Sequence, residues 1–418
     1  MNKASQQQIL SLGMGLIPCL LLVGCSGFNS LSSSSEAKNS TLSAASTSIS
    51  STPTTPSVPT TTTLPPPPPK AALKNSALVS ADFDNDGVPD LAVLDISGQQ
   101  IDIMSGNGDG TFNPPVKMNT GATPDGLLAG DFNQDGNQDL VVLNAGDNTV
   151  GILLGNGDGT FQNQVTSPIG HVASDLIAGD FNNDGNLDIA VVNGADGTVG
   201  ILLGNGDGTF QPQKAYKVGQ FPFAISAADL NGDGAIDLIV ANSGDNTVGV
   251  LLGRGDGTFS AQTTFAVGKA PSRIAVADLN RDGKPDVIVL NSASNTVGVL
   301  LGNGDGTLTS QVSYATTQGS AVGSNPTGLC VTDLQGNGNF SVLVTNSGNS
   351  TLGVLLGNGR GTLAAATMTA LSATPDAIVS SDFNQDGSAD MAIANLNGNV
   401  LNPSILLGQG NGAFQLQP

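Results

Sequence analysis

Asp180-Phe181-Asn182-Asn183-Asp184-Gly185-Asn186-Leu187-Asp188, running into Ile189-Ala190-Val191-Val192, is the stretch on which the reading of the fold turns. A polar loop of alternating Asp and Asn separates the apolar run Asp175 to Phe181 from a second run, Leu187 to Val192. Further on, Thr198 to Leu203 is a third run, and after the turn Gly204-Asn205-Gly206-Asp207-Gly208 a fourth extends from Thr209 to about Val218. Short runs bounded by Gly/Asn/Asp clusters are strands, and turns this tight join antiparallel neighbours. One unit therefore carries four strands.

The unit recurs. Its leading aspartate returns as Asp82, Asp131, Asp180, Asp229, Asp278, Asp333 and Asp382, in steps of 49 residues apart from one of 55. Seven units fill residues 76 to 418, and inner runs that are apolar on both faces suit sheets packed between sheets. The expectation is an all-β protein, a seven-bladed β-propeller of four-stranded antiparallel blades, because ring closure protects most sheet edges. A linear solenoid is the structural alternative. Closure of the last blade, including any part played by Lys70 to Lys74, is not readable.

Within each unit the loop follows D-x-[DN]-x-D-G-x-x-D. Calcium takes six to eight hard oxygens from a loop that curls round it, and a glycine after the third acidic position permits the turn. The expected ligands are Asp82, Asp84, Asp86, Val88 and Asp90 in the first unit, Asp131, Asn133, Asp135, Asn137 and Asp139 in the second, and Asp180, Asn182, Asp184, Asn186 and Asp188 in the third. They continue as Asp229, Asn231, Asp233, Ala235 and Asp237, then Asp278, Asn280, Asp282, Lys284 and Asp286, and finally Asp382, Asn384, Asp386, Ser388 and Asp390. The seventh position contributes its carbonyl. Up to six Ca2+ ions are expected. The sixth copy, Asp333, Gln335, Asn337 and Ser341, keeps one carboxylate and is expected to hold none. An EF-hand is excluded, since its twelfth-position Glu is replaced by Val93, Val142 or Val191 within a strand. Ordinary Asp/Asn hairpin turns are the competing explanation, but three or four clustered carboxylates repel one another without a cation.

This loop, with the later GNGDGTF segment (Gly155 to Phe161, for example), resembles the FG-GAP/VCBS repeats of integrin α-chain propellers and bacterial surface proteins, over residues 76 to 418. The resemblance implies a propeller with calcium between the first and second strands of a blade. It implies an adhesive, carbohydrate-binding or architectural role and names no ligand.

The rest of the chain has another character. Lys3 and the apolar Ile9 to Gly24, closed by Leu22-Val23-Gly24-Cys25, resemble a bacterial lipoprotein signal: residues 1–24 a signal peptide, Cys25 the lipidated residue. Residues 25–75 are Ser/Thr/Pro-rich, with prolines from Pro65 to Pro69, and read as a disordered tether. The expected location is the exported face of the cell envelope, on the outer membrane, with the lipid as the only membrane contact.

Net charge is −21, and Glu36 is the only glutamate, so the acid is almost all Asp, a residue of turns. No basic stripe exists to neutralise phosphates, which excludes nucleic acid as a partner. Catalysis has little to stand on: His171 is the only histidine, with no matching Ser or Cys arrangement, so no enzyme is expected. Gly155 to Gly159 mimics a phosphate loop and Arg254-Gly255-Asp256 an adhesion tripeptide, yet both occupy the repeated hairpin turn. Cys19, Cys25 and Cys330 give no disulfide framework for the folded part, and Cys330 suits a buried packing position.

The chain therefore reads as a monomeric, calcium-binding envelope lipoprotein that recognises a glycan or an envelope or extracellular protein. A structural or assembly subunit is the alternative, a polysaccharide-active enzyme the third. The calcium loops and GNGDG turns share one face. The variable links on the other bring up Phe221, Phe223, Arg273 and Tyr314 as candidate ligand-binding residues.

Overall fold

In the computed structural model the described residues are 23–24, 73–74, 77–317, 324–395 and 403–417. The signal segment apart from Val23–Gly24, Cys25, and the tether apart from Leu73–Lys74 lie outside them. The repeat array forms seven four-stranded antiparallel blades, whose first strands begin at Leu78, Pro124, Ala173, Pro222, Pro271, Pro326 and Pro375. This is the expected seven-bladed propeller. The second strands of blades two to six, such as Asp188–Asn193, are buried along their whole length, and those of blades one and seven in all but the last residue, as suits a strand sandwiched between neighbouring sheets. Among the described residues no helix is long and apolar enough to cross a membrane.

The hydrophobic core is divided rather than central. Seven buried clusters lie one at each interface between successive blades, including one that joins Leu78, Leu91 and Val93 of blade one to Val379, Phe383 and Ala392 of blade seven. The repeat motifs lock these interfaces. The aromatic ring of a DFN loop meets the GTF ring of the next blade edge-to-face: Phe83 with Phe161 at 5.5 Å, Phe132 with Phe210, Phe181 with Phe259. The last glycine of a GNGDG turn donates its N–H to the carbonyl beside that ring, as Gly159 does to Phe83 at 3.0 Å.

Ring closure repeats the same contacts. Phe112 of blade one packs on Phe383 of blade seven at 5.6 Å, Gly110 N–H donates to the Phe383 carbonyl, and Gln385 Nε2 donates to the Gly87 carbonyl at 3.1 Å. Among the described residues no strand is shared between the two blades: the strands of blade seven run from Pro375 to Leu416. Leu73–Lys74 pairs instead with Ile177–Ala178 on the inner edge of blade three, and Val23–Gly24 with Gly328–Leu329 in blade six.

Two residues depart from expectation. Cys330 is fully buried on the inner strand of blade six but is disulfide-bonded, so it is not the lone packing thiol inferred from sequence; its partner lies outside the described residues. Asp102 stands where the third strands of later blades carry Gly151, Gly200, Gly249, Gly298 and Gly353. At the first four of those glycines a Cβ would collide with the glutamine that crosses the strand, Gln164, Gln213, Gln262 or Gln311. Blade one has Pro115 in place of that glutamine, and the buried Asp102 pairs with Lys117 at 3.2 Å across the register.

Removing one partner of a buried pair leaves the other charge uncompensated. Lys117→Ala should cost about 2 kcal/mol in urea unfolding, and Asp102→Gly in the same background should recover most of that loss.

Candidate functional site

Two regions carry the chemistry, one on each face of the ring. On the first, each aspartate loop folds onto its own carboxylates. Asp82 Oδ1 accepts the Asp86 N–H at 3.1 Å and Oδ2 the Gly87 N–H at 2.9 Å, while Asp86 Oδ1 accepts the Val88 N–H at 2.7 Å. The same bonds recur around Asp131, Asp180, Asp229, Asp278 and Asp382. The glycine after the third acidic position has φ between 81° and 88° in these loops, for example Gly87 at 84°, which is why it is glycine.

The ninth position differs from the other acidic ones. Asp90 is buried; its Oδ2 accepts the Phe83 N–H at 2.8 Å and its Oδ1 the Gly106 N–H at 2.8 Å. Asp139, Asp188, Asp237, Asp286 and Asp390 do the same. These carboxylates tie the 1–2 loop to the 3–4 turn, a structural task that their expected metal-ligand role did not include. A cation could reach them only through lone pairs the amides leave over. Burial pushes Asp90, Asp139, Asp188, Asp237 and Asp390 up to about 6 and Asp286 in the same direction.

Positions one, three and five stay nearer the surface, and in the first loop ligand oxygens of Asp82, Asp84 and Asp86 lie within 4.8 Å of one another. Such an acceptor-only cluster fits a hard cation. Burial and the charge of Asp86 raise Asp84 above the usual carboxylate range. In five loops an asparagine replaces Asp84, and its Nδ2 donates to the fifth-position carboxylate, as Asn133 does to Asp135 at 2.9 Å. That bond relieves repulsion without a metal; turned about, the same amide would present its oxygen. The sixth loop keeps the turn with one carboxylate, Asp333 Oδ2 accepting Gly338 N–H. The loop's shape therefore does not depend on its full charge.

Between loops runs a circumferential chain of contacts from the fourth position. Asn85 Nδ2 reaches Asn137 Oδ1 at 3.0 Å, Gln134 Nε2 reaches Asn186 Oδ1 at 2.6 Å, and Arg281 donates to the Asn337 and Gly338 carbonyls of the sixth loop. Gly232 and Gly336 occupy this position in blades four and six and supply no such side chain.

On the opposite face the four candidate ligand residues separate. Phe221 is 69% exposed and has φ of 44°. It borders a cavity of about 520 Å³ between blades three and four, lined also by Asp196, Gly197, Lys217 and Asp245. Phe223 is half-buried, at a β-bulge on the inner strand. Arg273 is not at the surface as expected: it is 2% exposed, turned inward by the corresponding bulge after Pro271. There burial lowers its pKa to about 9, against the opposing pull of Asp175, Asp376 and Asp125. Tyr314 is partly buried on the outer strand of blade five, where it packs against the core between blades five and six.

Comparison with known proteins matches this architecture. An FG-GAP-like repeat model fits residues 82–142, 131–191, 180–240, 229–289 and 278–344, well over half of the chain. The chain belongs to the FG-GAP-like repeat family. No curated protein matches it in sequence. Among solved structures, this FG-GAP-like propeller is similar to an Agrocybe aegerita lectin described as recognising non-reducing terminal N-acetylglucosamine, with 21% identity, TM-score 0.50, and coverage of 78% of this chain and 86% of that one. It is also similar to a Lactobacillus plantarum protein at 15% identity, TM-score 0.58 and coverage of 83% and 95%. A putative 6-phosphogluconolactonase of Bacteroides fragilis gives 14%, 0.54, and 82% and 93%. At such identities these likenesses show the fold.

Several motifs of the FG-GAP-like repeat resolve into turn chemistry. Asp109, Asp158, Asp207, Asp256 and Asp305 each accept the hydroxyl of the threonine two residues on, which lowers their pKa. Asp256 of the Arg-Gly-Asp triplet is thus engaged within its hairpin. His171 lies on an exposed link with its Nδ1 3.2 Å from Asp196 Oδ1. The inward set of Arg273, Asp125, Asp175 and Asp376 was missed from sequence because a bulge, which has no composition signal, decides which way those side chains face.

An aspartate whose folded pKa is raised favours the folded state below its unfolded pKa and loses that advantage as pH rises through the folded value. Without divalent cations, the melting temperature should therefore fall between pH 4 and about 7, as the ninth-position aspartates ionise. A melting series in chelating buffer checks this. Asp84→Asn should gain a few tenths of a kcal/mol in the same buffer, by replacing a like-charge contact with a hydrogen bond.

Proposed function

We propose that this FG-GAP-like propeller is a calcium-binding recognition module of the bacterial cell envelope, with calcium on one face and ligand on the other. The observation that carries the reading is the split in chemistry between the faces. Six loops repeat one fold around their first- and fifth-position carboxylates, and in the first of them three carboxylates gather within 4.8 Å, whereas the link face varies from blade to blade and bears an exposed aromatic beside a cavity.

Calcium would be held by positions one, three and five of each loop, with the seventh-position carbonyl, and its role would be charge neutralisation. Blade six, which keeps its turn with one carboxylate, supports that division. The lectin among the structural neighbours makes a glycan one reasonable ligand class, and a protein of the envelope or matrix is the other. Cys25 would anchor the module through lipid. The mass of the mature N-terminal peptide tests the lipid.

A calcium titration followed by melting temperature is the direct test. A ligand bound only by the native state contributes about 1.4 kcal/mol per site at ten times its Kd, so several loops filled at millimolar calcium should raise the melting temperature by many degrees. Reverting the first, third and fifth positions of one loop to the Asp333-Gln335-Asn337 pattern of blade six should remove one site. No change on chelation would defeat the calcium reading. Retention of the protein on a glycan or matrix array with and without chelator tests the recognition half.

A further inference from the structure

Two links between blades share a side-chain cap that the link between blades three and four, which lies between them, lacks. At the neighbouring interfaces an asparagine of the 2–3 turn caps the link: Asn148 Oδ1 accepts the Val172 N–H at 3.2 Å, and Asn246 Oδ1 accepts the Ala270 N–H at 2.8 Å. Both asparagines adopt positive φ, 52° and 55°. In blade three this position is Gly197, also at positive φ, 61°, and a Cβ there would find only the Gly219 carbonyl, at 3.6 Å. The backbone is otherwise kept, since Val218 N–H still donates to the Gly197 carbonyl, as Ile169 and Val267 do to Asn148 and Asn246.

Deleting that carboxamide has two results. The Phe221 N–H, counterpart of the capped Val172 and Ala270 amides, has no protein acceptor among the described residues, and the space left by the carboxamide belongs to the 520 Å³ cavity that Gly197 and Phe221 both line. Phe221 keeps the positive φ of its counterparts, 44° against 51° at Val172 and 50° at Ala270. Its ring rests over Gly244, where a Cβ would come 2.9 Å from Cδ2. On the cavity wall, Asp245 has only Oδ2 engaged, by the Gln220 N–H at 2.7 Å, and Lys217 contributes an ammonium without an ion-pair partner among the described residues.

We infer that this cavity is a saccharide site, formed by the loss of the asparagine cap at Gly197, that seats one neutral sugar ring against Phe221. The proposal rests on the recognition reading above and gives it an address. An aromatic surface accepts the C–H face of a pyranose, a carboxylate accepts hydroxyl donors, and a backbone N–H and an ammonium supply hydrogen bonds to hydroxyl or ring oxygens. With Asp196 and Asp245 against one Lys217, the wall carries net negative charge, which disfavours uronates and other acidic sugars.

The test uses the whole exported chain in calcium, titrated with glucose, galactose, mannose, N-acetylglucosamine and glucuronate, and read by amide NMR shifts and by retention on arrays of their oligomers. The expected result is a perturbed Phe221 amide with a neutral sugar and none with glucuronate. Gly197→Asn, which rebuilds the cap found at Asn148 and Asn246, should weaken binding at least roughly tenfold with melting temperature unchanged, and Phe221→Ala should do the same. Val172→Ala, at the equivalent exposed position one blade earlier, should leave binding intact. Sugar binding unaffected by Gly197→Asn, or no shift with any sugar at tens of millimolar, overturns the site. Those outcomes leave the recognition reading standing if calcium-dependent retention on a protein matrix persists.

Discussion

Every intact blade turns on one buried carboxylate. The ninth aspartate of the loop places one oxygen on the amide at the head of the loop and the other on the amide that opens the 3–4 turn, Phe83 and Gly106 in the case of Asp90. Two connections that are distant in the blade are thereby held at a fixed spacing, with backbone donors that would otherwise be buried unpaired. The turn so positioned offers its last glycine and its GTF phenylalanine to the preceding blade. The contacts between blades are therefore downstream of a bond within one. Blade six shows the weaker variant: Ser341 stands in for the aspartate, and its Oγ accepts the Gly357 N–H at 3.3 Å. That is also the blade whose loop has lost most of its charge.

Much of this was legible in the residues themselves. A spacing of 49 residues, apolar runs too short for helices and glycine-rich turns leave little besides a seven-bladed ring, and the motif phenylalanines do the same job at the four interfaces that pair them. The candidate site was legible in part. Phe221 could be singled out as an aromatic in a variable link, but Arg273, in the next link, could not be separated from it. The deciding feature is the bulge near the start of the inner strand in blades two to seven, which turns Arg273 inward and leaves Phe221, just before its bulge, outside. The double duty of the ninth aspartates was hidden for another reason. A pattern of alternate carboxylates reads the same whether an oxygen faces an ion or an amide.

The repeat also explains how one face can stay constant while the other varies. The loop face is cross-linked by fourth-position side chains and by the aspartate latches, so a change there disturbs two blades at once. On the link face the repeated bonds are mostly made by backbone, with a few turn residues such as Asn144, Asp147 and Asp245 receiving link amides. Side chains projecting from the links are largely unconstrained by those bonds. Gly197 gives up the capping carboxamide of its counterparts, yet the link keeps its course because the backbone bond from Val218 N–H to the Gly197 carbonyl remains.

The joint between blades seven and one has a different standing from the other six. Neighbouring blades elsewhere are successive in the chain, so an interface that loosens is still leashed by its link. At the seam, a buried cluster like those of the other interfaces, Phe112 on Phe383 and a few hydrogen bonds close the circle without a link between the two blades. The ring is thus an open arc that bites its own end, and the arc itself holds its two ends together. A transient gap there exposes one interface and leaves six intact, which makes the seam the place where this circle can breathe.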